Sequence, residues 1–333
     1  MKLDIKQLFE QKGQKRSNLV SIVLPVYNEE PNLDKVVSEM FLYLETHQPH
    51  YRFEITFIDD CSKDGSFALL QKLAARKSEN VRLSVLRLAK NSGSHIAITA
   101  GLNLNRGEFC IIMASDGQDP AEVIGQLLQE WELGNEIVLA SRFDNLDKGY
   151  FGKLFSRMAW KIMIWSTRID MPRKGCDLLG LDKKAVNAFN RMDERNTTFI
   201  FRILSMGFKQ KEIQYIKRER FAGKSSWTFW KKISIMLDAI TGYSSRPLRL
   251  ITKFGLFMSV VLAARWLYIV IKVYVFHIPP SELTIILNTI FTALAVQMLL
   301  LGMIGDYIWR ILDETRKRPL YEIGQIDGQL FND

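Results

Sequence analysis

The sequence predicts an α/β domain with a mostly parallel sheet, followed by helices that lie on a membrane and two that cross it. Three observations carry this. Five apolar, β-branched runs alternate with stretches of helical character over residues 19–142, the pattern of βαβ units. The loops that end the first four runs are polar, and ligands gather at the strand ends of such sheets. Beyond residue 250, two apolar stretches of membrane-spanning length sit between basic flanks.

The elements follow in order. Residues 1–17 are rich in Lys and Gln with a small apolar set, Leu3, Ile5, Leu8 and Phe9, which predicts a short surface extension. Leu19 to Tyr27 is a buried strand, and Asn28-Glu29-Glu30-Pro31-Asn32 is a turn that opens a helix running to about His47. The second strand, Phe53 to Ile58, ends in the polar loop Asp59-Asp60-Cys61-Ser62-Lys63-Asp64-Gly65-Ser66. Val81 to Leu88 is the third, followed by Lys90-Asn91-Ser92-Gly93-Ser94 and a helix from His95. Phe109 to Met113 is the fourth, and Glu136 to Ser141 the fifth, ending at Arg142.

The fourth strand runs into Ala114-Ser115-Asp116-Gly117-Gln118-Asp119-Pro120, and the chemistry is expected here. Asp116, Gln118 and Asp119 place oxygen donors at the strand tip, and Pro120 opens the next helix. Oxygen donors suit a hard cation such as Mg²⁺ or Mn²⁺, and such a cation points to a phosphate-bearing substrate. The competing reading is a solvated acidic turn that caps a helix. Tyr27 can stack on a base, Lys90 can offset phosphate charge, and acidic groups can hold ribose hydroxyls, base N–H groups or a cation. Each loop is weak evidence by itself; four at successive strand ends form a site.

Composition narrows the function class. The 333 residues carry a net charge of +9, which fits nucleic acid, an anionic membrane surface or phosphorylated substrates. The three cysteines, Cys61, Cys110 and Cys176, are far apart and form no Cys-x-x-Cys. That argues for a reducing compartment, without a disulfide frame or zinc site. The polar, charged N-terminus predicts that no signal peptide is removed.

Past Arg142 the character changes. Residues 150–168 mix Phe151, Phe155, Trp160 and Trp165 with Lys153, Arg157, Lys161 and Arg168, as a helix at a membrane interface would. Residues 227–241 are similar. Phe254 to Phe276 and Leu283 to Ile304 are the candidate spans. Their link, His277 to Glu282, has no Lys or Arg, whereas Arg246, Arg249, Lys253, Arg310, Arg316, Lys317 and Arg318 flank the pair. The positive-inside rule therefore puts both termini and the N-terminal domain in the cytoplasm. Arg265, deep in the first span, is expected to face protein, either Gln297 or a neighbouring subunit of a homo-oligomer, with holding the lipid phosphate as the lesser reading. The expected division is 1–17 extension, 18–226 catalytic domain, 227–250 amphipathic helix and linker, 251–306 transmembrane pair and 307–333 cytoplasmic tail. With the basic excess accounted for at the membrane and at phosphate, no nucleic-acid partner is expected.

Some patterns mislead. Gly223-Lys224-Ser225 looks like the end of a P-loop, but Arg218 stands where its first glycine belongs. No Gly-x-Gly-x-x-Gly follows the first strand, which disfavours a dinucleotide-binding oxidoreductase. Asn196-Thr197-Thr198 is a glycosylation sequon in a part expected to be cytoplasmic.

Taken together, Leu24-Pro25-Val26-Tyr27-Asn28-Glu29-Glu30, Ile58-Asp59-Asp60-x-Ser62-x-Asp64-Gly65-Ser66, Asn91-x-Gly93 and Asp116-x-Gln118-Asp119-Pro120 resemble family-two glycosyltransferases with the GT-A fold. Ser141-Arg142-Phe143, Cys176-Asp177-Leu178, Arg220-Phe221-Ala222-Gly223-Lys224-Ser225 and Pro247-Leu248-Arg249 extend the match. Gly302-Met303-Ile304-Gly305-Asp306-Tyr307-Ile308-x-Arg310 and Arg318-Pro319-Leu320-Tyr321 are similar to the polyprenyl-phosphate branch. That branch includes dolichyl-phosphate mannose synthase and bacterial undecaprenyl-phosphate sugar transferases.

The resemblance implies inverting transfer of one sugar from a nucleotide-diphosphate sugar to polyprenyl phosphate, at the inner (plasma) membrane. It implies that Pro25, Tyr27, Glu29, Asp59 and Asp60 hold the nucleoside, with Lys90, Gly93 and Asp116 beside the rest of the nucleotide. Asp116 and Gln118 would hold Mg²⁺ or Mn²⁺. Asp116, Arg142 and Asp177 would serve catalysis, and Arg157, Lys217, Arg220 and Ser225 the acceptor and its phosphate. The chain departs from the family at Ala114, where Asp is usual, and at Cys61, where Gly is usual. Two rivals remain. A processive polysaccharide synthase of the same fold would carry Gln-x-x-Arg-Trp, but here Leu262 precedes Arg265-Trp266. A non-catalytic membrane scaffold is suggested by Ala114.

Overall fold

The computed structural model describes residues 18–76, 78–143, 178–192, 199–218 and 319–328, with positions 161, 164 and 176 and scattered positions between 267 and 315. The described chain runs β1 (Leu19–Val26), α1 (Glu30–His47), β2 (Arg52–Asp59), α2 (Ser66–Ala74), β3 (Val81–Leu88), α3 (Ser94–Asn103), β4 (Phe109–Ile112), α4 (Glu122–Glu132) and β5 (Ile137–Arg142). It continues through β6 (Leu178–Asp182), α5 (Lys183–Asn190), α6 (Phe199–Ser205), β7 (Gln210–Tyr215) and β8 (Ile323–Gly328). The first five strands fall where apolar periodicity predicts them.

The strands form one eight-stranded sheet in the order β7-β5-β6-β4-β1-β2-β3-β8. β4, β1, β2 and β3 are mutually parallel, and so are β5 and β7. β6 lies antiparallel between β4 and β5, and β8 runs antiparallel along β3. Because β6 reverses direction twice over, β5 and β7 point the same way as the central four. All six parallel strands therefore end at one edge, where ligands are expected.

Helices cover both faces, as parallel strands buried on both sides require. On one face α1, α2 and α4 pack through Leu33, Phe41, Phe67, Leu70, Ile124 and Trp131. On the other α3, α5 and α6 pack through Ala97, Ile98, Val186, Phe189, Phe201 and Ile203. Phe109 stacks on Trp131 with ring centroids 4.9 Å apart, and the indole Nε1 donates to Asp182 at 2.8 Å. Asp182 also caps α5, accepting from Lys184 N at 2.9 Å. Gly180 of β6 passes the Phe109 ring so closely that a Cβ there would sit 2.3 Å from it. A side chain at 180 would force the stacked pair apart, so the middle of the sheet requires Gly180.

One expectation from the C-terminal third is modified. The segment 307–333, expected as a tail, contributes β8 to the sheet, so part of it belongs to the α/β domain. Among the described residues no helix is long and apolar enough to cross a membrane. Of the expected spans, 254–276 lies outside the described residues except for position 267, and 283–304 is described only at scattered helical positions; the extension 1–17 and nearly all of the helices expected over 150–168 and 227–241 also lie outside.

Candidate active site

The sheet edge gathers the expected loops, and the chain holds them to one another. The Asp60 N–H donates to Val26 O at 2.8 Å, and Met113 N–H to Val23 O at 3.0 Å. The Ser115 hydroxyl donates to Pro25 O at 2.8 Å. These bonds tie the ends of β2 and β4 to β1, the strand between them.

The β1 and β2 loops interlock further. Asn28 N–H donates to Ser62 Oγ at 3.0 Å, Lys63 N–H to Asn28 Oδ1 at 2.8 Å, and Glu29 N–H to Ser66 Oγ at 3.0 Å. Glu29 is half-buried and accepts from Asn32 Nδ2 at 2.6 Å. Tyr27 is left with 40% of its surface exposed, a free aromatic face beside the loops. Asn28 and Cys61 both adopt left-handed backbone, φ 54° and 58°. Asn tolerates that region, whereas Cys carries a strained Cβ there. Cys61→Gly is expected to stabilise the domain by roughly 1 kcal/mol, a rise of about 2–4 °C in Tm for a domain of this size. A Tm that falls would show that the thiol's contact toward Ala89 O outweighs the strain.

Asp59 and Asp60 are buried and engaged by the loops. Asp59 accepts from Ser62 N–H and pairs with Arg87, whose Nε lies 3.4 Å from Oδ2. The same guanidinium donates to Ser62 O at 3.1 Å and covers the Phe67 ring at 4.7 Å. Asp60 receives Ser92 N–H and Gly93 N–H, both at 2.7 Å, one on each carboxylate oxygen. Gly93 is needed at that point, because its φ of 92° suits glycine. Burial raises both carboxyls above their ordinary value; for Asp60 the two backbone N–H groups oppose the shift, and for Asp59 Ser62 and Arg87 do. Lys90, on the loop that Asp60 holds, is exposed.

At the tip of β4, Asp116 is 7% exposed and accepts Gln118 N–H at 3.1 Å. Gly117 turns the chain between them with φ 74°. Gln118 is half-buried and Asp119 fully so. A strap leaving β7 clasps this turn. Tyr215 donates its hydroxyl to Asp119 Oδ1 at 2.6 Å, and Lys217 Nζ lies 3.5 Å from the same oxygen. Arg218 N–H donates to Gln118 O at 2.8 Å, and the Gln118 side-chain amide returns to Arg218 O at 3.4 Å. Arg218 extends to Glu39 of α1 at 2.9 Å and Glu122 of α4 at 3.3 Å. Arg142, exposed at the end of β5, is in register with Tyr215 and so reaches the same edge.

The structure thus brings Pro25, Tyr27, Glu29, Asp59, Asp60, Lys90, Gly93, Asp116, Gln118, Arg142 and Lys217 to one sheet edge. Asp177, Arg157, Arg220 and Ser225 lie outside the described residues. Sequence reasoning missed Arg87 and Tyr215. Tyr215 and its partner Asp119 are 96 positions apart, and no local pattern connects them.

Among the described residues no group of three His, Cys, Asp or Glu could hold a metal unaided. Asp116 and Gln118 offer a sparse, all-oxygen donor pair. Such a set fits a hard cation that completes its shell from water and a substrate diphosphate. It does not fit zinc or a soft metal.

Comparison with known proteins identifies the family. Residues 21–189 match the model of Glycosyl transferase family 2, a stretch that contains the ends of β1 to β6 but not those of β7 and β8. The chain is 32% identical over 314 residues to a Bacillus subtilis protein named "Uncharacterized glycosyltransferase YkcC", covering 92% of this chain and 94% of that one. It is 33% identical over 308 residues to the bactoprenol glucosyl transferase of Shigella phage SfX, covering 91% and 98%. Among solved structures it is similar to glucosyl-3-phosphoglycerate synthase from Mycobacterium tuberculosis, at 13% identity and a TM-score of 0.47 over 72% of this chain and 82% of that one.

Proposed function

The chain belongs to glycosyl transferase family 2, and on that premise we propose that it transfers one sugar from a nucleotide-diphosphate donor to a polyprenyl phosphate, with inversion, at the cytoplasmic face of a membrane. One observation carries the choice of acceptor. The likeness to the phage bactoprenol glucosyl transferase runs over 91% of this chain, far beyond the family domain at 21–189 and through the apolar C-terminal third. A second supports a membrane setting. The helical positions described there carry exposed large apolar side chains, among them Leu283, Ile286, Leu301, Ile304, Ile308 and Ile311. Exposed apolar surface of that extent is suited to lipid or to a partner helix.

The chemistry asks little of a general base. A lipid phosphate is already an anionic nucleophile at neutral pH. The demands are to hold the donor, to aim the acceptor oxygen at the sugar carbon and to offset the charge of the departing diphosphate. Tyr27 presents an exposed ring for the base, while the Asp60-braced loop carries Lys90 toward the nucleotide. Asp116 and Gln118 would hold Mg²⁺ or Mn²⁺, which would supply positive charge to the diphosphate oxygens. Arg142 and Lys90, with Arg157, would add cationic charge, and Arg220 and Ser225 would meet the acceptor. Asp177 would complete the acidic set.

The test uses the full chain in lipid nanodiscs with undecaprenyl phosphate and a panel of radiolabelled UDP- and GDP-sugars, glucose first. One sugar per lipid supports the reading. A long polymer would favour the processive synthase, and no transfer with any donor would favour the scaffold. Topology is tested separately in cells with the native cysteines replaced. Cysteine placed at Ser281 is expected to react with an impermeant thiol reagent from outside. Cysteine placed at Lys63, which is exposed on the β2 loop, is expected to stay unlabelled until the membrane is opened. The reverse pattern would overturn the orientation.

A further inference from the structure

We propose that Tyr215 and Lys217 are positioning residues for the acidic turn: they fix Asp119, and through it the placement of Gln118 and Asp116 toward a cation on the donor diphosphate. The inference rests on the glycosyl-transfer reading above, and gives Lys217 a role other than acceptor binding.

Tyr215 and Lys217 converge on one oxygen of Asp119, Oδ1. The Asp119 side chain has no exposure and the Lys217 side chain 11%, so their 3.5 Å contact is largely shielded from water. A buried carboxylate is costly unless partnered, and Tyr215 supplies a second donor to it at 2.6 Å. The neighbouring Gln118 is held in both directions by Arg218, through its carbonyl and through its amide. Because the amide nitrogen of Gln118 is committed to Arg218 O, its side-chain oxygen is the atom left to serve a cation. Asp116 is then set by Gln118 N–H. Arg218 anchors the whole strap to α1 and α4 through Glu39 and Glu122. A lysine tied down in this way has little reach toward a lipid phosphate. In the sequence the strap is followed directly by Arg220 and Ser225.

The test measures Mn²⁺ binding by electron paramagnetic resonance, on the full chain in nanodiscs with UDP and GDP in turn. Ground-state assays of KM for undecaprenyl phosphate run in parallel. Lys217→Met is expected to weaken nucleotide-dependent Mn²⁺ binding ~10-fold, the usual scale for losing a group that orients a metal ligand, with KM for the lipid unchanged. Lys217→Arg is expected to restore most of the affinity. Tyr215→Phe, which keeps the ring and the fold, is expected to weaken Mn²⁺ binding by about threefold, a single hydrogen bond's worth. Unchanged Mn²⁺ affinity in both Lys217→Met and Tyr215→Phe overturns the proposal. So does a raised lipid KM with unchanged Mn²⁺ affinity, which would return Lys217 to the acceptor. If the wild-type chain binds no Mn²⁺ with either nucleotide, the cation reading itself is what fails.

Discussion

Asp116→Asn is expected to lower the transfer rate by ~10²–10³-fold while leaving the domain folded, the scale seen when one preorganised charge or donor is removed from a developing negative charge. The fold should survive because Asn keeps an oxygen that can accept Gln118 N–H, the bond that Asp116 makes now. What it loses is the negative charge at the strand tip. With Ala114 at the position where the family places another carboxylate, the other acid of the turn is Asp119, and it is committed to Tyr215 and Lys217. Gln118→Ala should cost less, since it removes a neutral oxygen. Ala114→Asp should tighten Mn²⁺ binding in the absence of nucleotide. Initial rates with radiolabelled donor, alongside Tm, check the set. Near-full activity in Asp116→Asn, or transfer indifferent to EDTA, would mean that Arg142, Arg157 and Lys90 neutralise the diphosphate without a cation.

Asp60→Ala is expected to weaken donor binding by ~100-fold, because two charge-assisted bonds to Ser92 N–H and Gly93 N–H are lost at once, roughly 3 kcal/mol together. Those bonds fix the loop that carries Lys90. The same carboxylate predicts a pH dependence. Burial places its titration above the ordinary carboxyl value, so protonation begins at a higher pH than for an exposed Asp. A protonated carboxyl has one acceptor fewer for the two N–H groups. Donor affinity should therefore fall on acidification, through a midpoint above 3.8. The stability effect has the opposite sign. A carboxyl whose pKa is raised by folding holds its proton more tightly in the folded state. Its contribution is fully present below 3.8 and is lost as pH rises through the raised value. Asp59, raised in the same direction, adds to this. Calorimetric titration of donor against pH, with unfolding followed in parallel, separates the two. A donor affinity flat across the acid range would show that the loop does not depend on Asp60 ionisation.

The first five strands and the four loops were legible because each is a local pattern: an apolar run that stops at polar residues. The remaining strands were not. β6 is only Leu178 to Asp182, and its antiparallel place between β4 and β5 is set by pairing partners far away in sequence. The short run closed by Asp182, a capping residue, was the available signal. β7 reads Gln-Lys-Glu-Ile-Gln-Tyr, too polar to announce itself, and β8 is exposed along its whole length. Both are edge strands that exist because β5 and β3 offer unpaired backbone. In the site, residue identities were readable and couplings were not. Asp59 and Asp60 looked alike in sequence, yet one is paired with Arg87 and the other braces the β3 loop.

The strand order has a consequence for how the protein is made. β8 lies against β3 at one margin of the sheet, whereas β7, the described strand before it in the chain, lies at the opposite margin. Both junctions, at Tyr215 and at Ile323, fall on the edge that carries the loops, since Leu88 pairs with Ile323 and Arg142 with Tyr215. During synthesis the ribosome therefore finishes β1 to β7, then the long apolar stretch, and only then β8. Until that last segment emerges, β3 keeps a bare margin, and Ala89 N–H and the Asn103 side chain lack Glu322 O and the Tyr321 hydroxyl. The domain is completed after the apolar stretch has left the ribosome, so a fragment stopped at residue 218 is a sheet with one side unsealed, prone to stick to its own kind.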